Sequence, residues 1–408
     1  MKDSGIEWIG QIPEDWNIWP TKRFFRHTKT LAGEQVDSYE RLALTMNGVI
    51  KRSKDDSEGL QPEKFDTYQV LRENELVFKL IDLANVKTSR VGLSPYTGIV
   101  SPAYIILSND NEDNRFYYYY FMSMYYNEIF NNLGDNGVRS SLNAQDLLNI
   151  PMVDIPGTLQ KRIADFLDEK YSKIDRYIEK QQQVIEKLKA YKQSVITEAV
   201  TFRDGWTSCH LGYLAQFKNG LNYSGISTDV EIKFLGVGDF QNYFMLDSEE
   251  MFSTLKFDGN MPEDLLLKNG DIVFVRSNGS KELVGRSVLI DNVSYPLTYS
   301  GFCIRMRNYR QDVVLNKFLL YRFWSNEFRQ SLNRDSRGSN INNLNQDLLA
   351  KLTVAFPNVD KQREIISFLD KKCAEIDSAI DKKQALIDKM AEYKKSLIYE
   401  AVTGKLEV

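Results

Sequence analysis

The sequence predicts an α+β chain. Two mixed α/β globular domains are separated by two long antiparallel helices, which pair as an intramolecular coiled coil and give the halves a pseudo-twofold relation. The first observation is a 42-residue stretch that occurs twice, at 160–201 and 362–403, with 21 of 42 residues identical at an offset of 202. A duplication of that kind is read before anything else. The second is a heptad-like apolar seam in each copy, uninterrupted by Gly or Pro. The third is that roughly 150 residues of strand-and-loop character precede each copy, with matching landmarks.

Taken in order, the chain divides into a first globular domain at 1–157, a first long helix at 158–201, a second globular domain at 202–359, and a second long helix with a short tail at 360–408. Each globular domain opens near a Trp (Trp16, Trp206) and contains a hydrophobic strand followed by a polar loop: Glu75 to Lys79 in the first, Asp271 to Val275 in the second. Amphipathic helices then begin at Asn114 and Asn316, again 202 apart. Each is followed by a Gly-containing polar loop (134–143, 334–345) and a short Gln-Asp-Leu-Leu helix. A strand ends at Pro156 or Pro357, and Pro there marks the start of the long helix. The aromatic run Phe116 to Phe121 offers rings for base stacking, but its helical spacing fits core packing better.

In the first long helix, Leu167, Tyr171, Ile174, Ile178, Ile185, Leu188, Val195 and Ala199 recur at steps of about four and three. Leu369, Cys373, Ile376, Ile380, Ile387, Met390, Leu397 and Ala401 take the same places in the second. Gln181 and its twin Lys383 interrupt the seam with polar groups, a pattern that suits a register-setting role at some cost in stability. At about 1.5 Å per residue each helix is roughly 60 Å long. Two such helices in one chain can bury their seams against each other; the alternative is that each joins a separate bundle.

Composition sets limits. Hydrophobic content of 42% and charged content of 26% are ordinary for a globular chain, and the net charge of -4 means that any nucleic-acid binding must come from local patches or a basic partner. No apolar run is long enough for a transmembrane helix, and the N-terminal stretch has no signal-peptide core. Three cysteines without paired spacing, Cys209, Cys303 and Cys373, suit a reducing cytoplasm and argue against a zinc site. The two histidines, His27 and His210, lie in different repeats and read as hydrogen-bonded structural residues. Gly236-Val237-Gly238 lacks the third glycine of a dinucleotide loop, Gly404-Lys405 lacks the upstream glycine of a phosphate loop, and no HExxH or Asn-Pro-Pro-aromatic tetrapeptide occurs. The expectation is a chain with no catalytic or metal-ligating residues of its own.

The loops carry binding chemistry instead. Arg grips guanine and Asn grips adenine in the major groove, while Ser and backbone amides hold phosphates. The first domain offers Lys79, Lys87 and Arg90, then Arg139, Ser140, Ser141 and Asn143. The second offers Arg276, Asn278, Lys281 and Arg286, then Arg334, Arg337, Asn340 and Asn342. Singly, each fits a solvated surface loop as well; paired loops in both repeats favour DNA.

At this point the sequence resembles the specificity subunit of type I restriction–modification enzymes. The resemblance runs through the opening SGIEWIGQIPEDW, the segment from Val77 to Tyr104 with its GIVSPAY block, and the duplicated FLD…ID…EAVT helices. It implies two target recognition domains, each reading one half of a split DNA target, with the helices as spacer. It also implies two methyltransferase subunits docked on those helices and motor-nuclease subunits joined through the complex. S-adenosylmethionine, ATP and Mg would sit on those partners, adenine would be the methylated base, and the whole would be cytoplasmic with no membrane contact. The second domain has Pro296 to Phe302 where the first has GIVSPAY, so the half-sites are expected to differ. Two other readings compete: a stand-alone nuclease or methyltransferase, against which the missing motifs speak, and a coiled-coil scaffold binding only proteins, against which the repeated polar loops speak.

Overall fold

The structure is a computed structural model. It describes the chain except residues 47, 56–64, 82, 84–89, 134–140, 223–229, 242, 258–260, 278–282 and 335–342, and except the side chains of 230, 257, 333 and 334. The chain forms two compact units, residues 1–181 with 385–408 and residues 182–384.

The first unit contains β1 (Lys2–Asp3), β2 (Gln11–Ile12), β3 (Asn17–Pro20), β4 (Arg26–Thr28), β5 (Arg41–Thr45), β6 (Gly48–Arg52), β7 (Gln69–Leu71), β8 (Leu76–Phe78), β9 (Val91–Leu93), β10 (Gly98–Val100) and β11 (Ile105–Ser108). Helices α1 (Arg115–Tyr126), α2 (Ile129–Asn132) and α3 (Ala144–Leu148), strand β12 (Pro151–Asp154) and the first part of α4 (Gly157–Val200) complete it. The strands form sheets in the orders β4-β11-β8-β9 and β6-β5-β10-β7, with the pairs β12-β3 and β1-β2 beside them.

The second unit takes the rest of α4 and continues with β13 (Thr207–His210), β14 (Ala215–Asn219), β15 (Val230–Leu235), β16 (Met245–Leu246), β17 (Ser253–Phe257), β18 (Ile272–Val275), β19 (Ser287–Ile290), β20 (Leu297–Tyr299) and β21 (Cys303–Asn308). Then come α5 (Asn316–Trp324), α6 (Asn326–Arg334), α7 (Gln346–Lys351), β22 (Thr353–Phe356) and α8 (Val359–Val402), whose end belongs to the first unit. The sheets run β14-β21-β18-β19-β16 and β17-β15-β20, with β13-β22 apart. Among the described residues the strand order in the two larger sheets repeats that of the first unit except at two edges, where β7 beside β10 and β16 beside β19 have no counterparts. In both units, a parallel contact joins a hairpin strand to a later one: Ile99 opposite Arg41 in β10-β5, Thr298 opposite Phe234 in β20-β15. The segment Pro296 to Phe302 is therefore the structural counterpart of the GIVSPAY block, although the residues differ.

Each unit is packed around its first long globular helix. In the first, Phe116, Tyr117, Tyr119, Tyr120 and Phe121 of α1 are buried against the β4-β11-β8-β9 sheet and Tyr120 Oη donates to Pro151 O at 2.9 Å. The aromatic run is core, and its rings are not offered to bases. The helix expected from Asn114 onward is broken in both copies. Glu128 takes a left-handed φ of 56° between α1 and α2, and Ser325 turns extended and caps α6, its Oγ accepting from Phe328 N at 3.3 Å.

Asn358 starts α8, its Oδ1 accepting from Lys361 N at 2.9 Å. Gly404, at φ 71°, ends it, and Lys405 N reaches back to Glu400 O at 2.8 Å. A Cβ at Gly404 would come within 2.5 Å of Pro13, so space as well as conformation requires glycine there.

The long helices pair within each unit. In the first, Ile163, Leu167 and Ile174 of α4 share a core with Leu397, Ile398, Ala401 and Val402 of α8. Lys394 Nζ donates to Asp175 at 2.7 Å, and Tyr171 Oη donates to Lys394 O at 2.9 Å. In the second, Ile196 and Val200 of α4 share a core with Leu369 and Cys373 of α8, and Lys192 Nζ donates to Asp377 at 2.6 Å. In both units the start of one helix meets the end of the other, the antiparallel arrangement expected from sequence. The seam widens at the helix ends. Val195 and Ala199 are only half-buried, while Ile196 and Val200, one position on, are fully buried, as are Ile398 and Val402. There the helix meets a globular core as well as its partner, so more than the narrow coiled-coil stripe is covered.

Burial and ion pairing contribute unequally. Leu167 is fully buried, whereas Lys192 and Asp377 keep 24% and 50% of their side chains exposed. Leu167→Ala should cost roughly 2–5 kcal/mol, and Lys192→Ala at most about 1 kcal/mol. Thermal melting of the two variants checks this; comparable losses would mean that the ion pairs, and not the apolar seam, hold the helices.

Candidate nucleic-acid interface

The polar loops singled out in sequence leave the cores side by side. In the first unit the fully buried strand β8 runs into Lys79, whose N–H donates to Arg90 O at 3.0 Å. Leu142 N then donates to Leu80 O at 2.9 Å, and Ile81 forms an isolated bridge with Ser141. In the second unit, β18 runs into Arg276. Leu344 N donates to Arg276 O at 2.8 Å, and Arg276 Nε donates to Asn343 Oδ1 at 3.2 Å. Leu142 and Leu344 are 202 apart, so the same junction is built twice.

The individual side chains fare differently. Ser141 is exposed and Lys79 half-buried. Asn143 caps α3: its Oδ1 accepts from Gln145 N at 2.8 Å and Asp146 N at 3.0 Å, and Asp146 accepts from Asn143 N in return. Arg276 is half-buried, with Nη1 3.4 Å from Gly301 O, and Arg286 donates to Gln241 O. Arg90 departs from the expectation of a groove-facing cation. It is 3% exposed, donates to Leu83 O and sits 5.6 Å from the centre of the Tyr125 ring. Buried as it is, it braces the loop stem and is not presented to a groove. Lys87, Arg139, Ser140, Asn278, Lys281, Arg337, Asn340 and Asn342 lie outside the described residues, as does the side chain of Arg334.

The structure also assembles a basic surface that the sequence reading passed over. The hairpin β5-β6 and the residues after it line an open depression of about 430 Å³ with Tyr39, Glu40, Arg41, Lys51, Arg52, Ser53 and Lys54. Its lining holds four cations and Glu40; Arg41 is 8% exposed, and Asp37 lies 3.9 Å from Lys54. Lys51 Nζ lies 2.5 Å from Glu40 and 5.0 Å from the centre of the Tyr96 ring, and Glu40 holds the ammonium above its usual pKa. Lys54 Nζ donates to Val36 O at 2.7 Å, and Arg41 Nη1 donates to Ser53 O at 3.3 Å. Met46 and Ile50 are exposed on the same hairpin. The signal was present in Lys51-Arg52-Ser53-Lys54, three basic residues in four, at the end of a strand-like stretch. The matching hairpin of the second unit is neutralised: Lys233 lies 3.4 Å from Glu249 and Lys256 lies 3.6 Å from Glu231.

Other titratable groups point to packing. Burial raises the thiols of Cys209, Cys303 and Cys373, that of Cys303 to about 12. Such a thiol carries negligible thiolate at neutral pH. Both histidines lie on strands: His210 Nδ1 is 3.3 Å from Thr353 Oγ1, and partial desolvation of the His27 ring, with help from Lys29, lowers its pKa. Among the described residues no group of three or more His, Cys, Asp or Glu is placed to hold a metal, and no helix is long and apolar enough to cross a membrane.

Comparison with known proteins bears on this geometry. Residues 203–387 match the family described as the type I restriction modification DNA specificity domain. The specificity subunit of the StySPI type I restriction enzyme of Salmonella potsdam is 29% identical over 236 residues, 54% of this chain and 50% of that protein, so the match spans about half the length of that relative. A chain from a structural study of assembly and conformational transition in the type I restriction–modification system has the same fold, with a TM-score of 0.71 at 13% identity over 97% of this chain and 100% of that one. The HsdS subunit of Thermoanaerobacter tengcongensis gives a TM-score of 0.50 at 13% identity over 97% and 98% of the two chains. The family match is thus confined to 203–387, and the chain is similar to the specificity subunits of type I restriction enzymes.

Proposed function

We propose that this chain is the non-catalytic DNA-reading subunit of a cytoplasmic type I restriction–modification complex. Each globular part reads one half of a split, asymmetric double-stranded DNA target. The observation that carries this reading is the loop junction built twice, at Leu80 with Leu142 and at Arg276 with Leu344. Two loops leaving a rigid core together can follow a groove edge, with phosphates fixing position and Arg or Asn reading bases. The unlike hairpins support unlike half-sites: β5 and β6 are joined by a tight turn, whereas β15 and β17 are separated by two 3-10 helices and the short strand β16.

The paired helices dock two copies of a methyltransferase subunit, which holds S-adenosylmethionine and methylates adenine. Motor-nuclease subunits with ATP and Mg join through that assembly. What supports two dockings is one exposed ring that recurs, Tyr191 in one unit and Tyr393, near-identically exposed, in the other; Phe368 is exposed in the same unit as Tyr191, whereas its counterpart Phe166 is half-buried. Gln181 and Lys383 keep the proposed register-setting role; Gln181 Oε1 is buried without a hydrogen-bond partner, the kind of local cost such a device carries.

Methylome sequencing of cells with and without the chain tests the reading directly. A split asymmetric adenine-methylated motif should vanish on deletion; an unchanged methylome would refute it. Within the purified complex, Lys51→Ala, Arg52→Ala and Lys54→Ala together should flatten the salt dependence of DNA binding by roughly 2–3 in log–log slope, about 0.9 per phosphate contact, with the target sequence unchanged. An altered motif at constant slope would instead make these residues base readers. Tyr191→Ala with Phe368→Ala should remove one methyltransferase copy of two, read as mass by light scattering; two copies retained would place the docking surface elsewhere.

A further inference from the structure

The start of each long helix holds a carboxylate gripped from the globular part. In the first unit, Asp168 of α4 accepts from Arg115 Nη1 and from Tyr119 Oη, both on α1. In the second, Asp370 of α8 accepts from Lys317 Nζ and from Tyr321 Oη, each at 2.7 Å, both on α5. All three positions match at an offset of 202. Donors four residues apart lie one above the other on a helix face, so each carboxylate receives two bonds from successive turns of the same helix.

Apolar packing between a globular part and a helix is non-directional and allows rocking. Two hydrogen bonds from fixed points to one acceptor are directional; with Asp168 and Asp370 42% and 39% exposed they add little stability and act by setting geometry. Two other contacts at the helix ends are also shared, Gln160 Nε2 to Ile155 O at 3.0 Å with Gln362 Nε2 to Pro357 O at 2.8 Å, and Thr201 Oγ1 to Thr197 O with Thr403 Oγ1 to Tyr399 O, but the remaining ties to the globular parts differ. Thr201 Oγ1 donates to Glu327 at 2.8 Å and Arg322 Nη1 donates to Val200 O at 3.1 Å in the second unit, whereas Tyr399 Oη donates to Ile9 O at 3.2 Å in the first. A contact kept in duplicate while its surroundings diverge serves something common to both halves.

We infer that Asp168 and Asp370 are positioning residues that lock the angle of each DNA-reading part on its own helix and so make the complex intolerant of changes in the spacing between half-sites. This rests on the split-target reading above. One extra base pair displaces a half-site by about 3.4 Å and rotates it by roughly 35°, which a locked part cannot follow and a rocking one can.

The test uses the assembled methyltransferase complex and a set of DNA duplexes with the native half-sites and spacers of native length, one base pair longer and one shorter. Asp168→Asn and Asp370→Asn should raise methylation of the off-length duplexes at least tenfold relative to the native-length one, with the half-site bases unchanged. Tyr119→Phe, which removes one hydroxyl and little else, should give a smaller shift in the same direction and decides the matter if the Asp variants fail to fold. Arg115→Lys copies the second unit and should keep strict spacing. Variants that assemble, methylate the native duplex and reject the off-length ones as firmly as the parent would overturn the inference. A parent complex that methylates no split target would instead remove the reading beneath it.

Discussion

A helix of 44 residues with an apolar seam cannot leave that seam in water, and here each of two such helices covers the other. Because both carry the same sequence pattern and run antiparallel, a contact between position i of one and j of the other can have a mate. Asp175 with Lys394 and Lys192 with Asp377 are one pair written twice. The logic is that of a self-complementary dimer interface, enclosed in one chain. A single register therefore satisfies both ends, and a slip would break both pairs together. The ion pairs are half-exposed and contribute little energy; the buried Leu, Ile and Ala supply the stability, and the charges select among registers that bury similar area.

That duplication separates what must stay alike from what is free to change. Asn114 and Asn316 do the same work, each donating from Nδ2 at 2.8 Å to the carbonyl of a turn residue with positive φ, Asn74 in one unit and Gly270 in the other. Glu75 and Asp271 close the same turns by accepting from Arg72 N and Lys268 N. These groups hold the strands β8 and β18 against the first globular helix. Beyond the strands the units part company: a hairpin end rich in Lys and Arg in one, a hairpin with one Glu for each Lys in the other, and different residues at the loop stems. The two halves agree where the strands are held against the helix and differ at the hairpins and loop stems.

The long helices and the paired loops were legible because they repeat, and a repeat at fixed offset survives substitutions that erase local motifs. The short strand β20 was not. Pro296 to Phe302 shares almost nothing with GIVSPAY, yet it makes the same parallel contact, since a buried three-residue strand asks for little beyond bulk and β-branching. Arg90 was misread because a cation in a polar loop looks alike whether its guanidinium faces water or a carbonyl and a Tyr ring. The breaks at Glu128 and Ser325 were missed because neither position carries Gly or Pro. Ser325 alone gave a signal, as a hydroxyl that can restart a helix three residues before Phe328. The basic depression was overlooked for a different reason: Arg41 and Lys51 lie on neighbouring strands, and their proximity is a fact of pairing, Arg41 opposite Arg52 and Leu42 opposite Lys51.

The acidic balance of the chain, net charge -4, is the strongest argument against a DNA reader, and it does not survive a consideration of distance. At physiological ionic strength charges separated by more than about 8 Å are largely screened. What a phosphate meets is the local group, and Lys51, Arg52 and Lys54 line the depression beside Glu40, with Arg41 only 8% exposed beneath them and Asp37 3.9 Å from Lys54. Many of the carboxylates are spent in i,i+3 and i,i+4 pairs along the helices, such as Glu169 with Lys173 and Glu392 with Lys395. For the proposed reader, weak non-specific attraction to DNA would leave more of the affinity to contacts that depend on sequence.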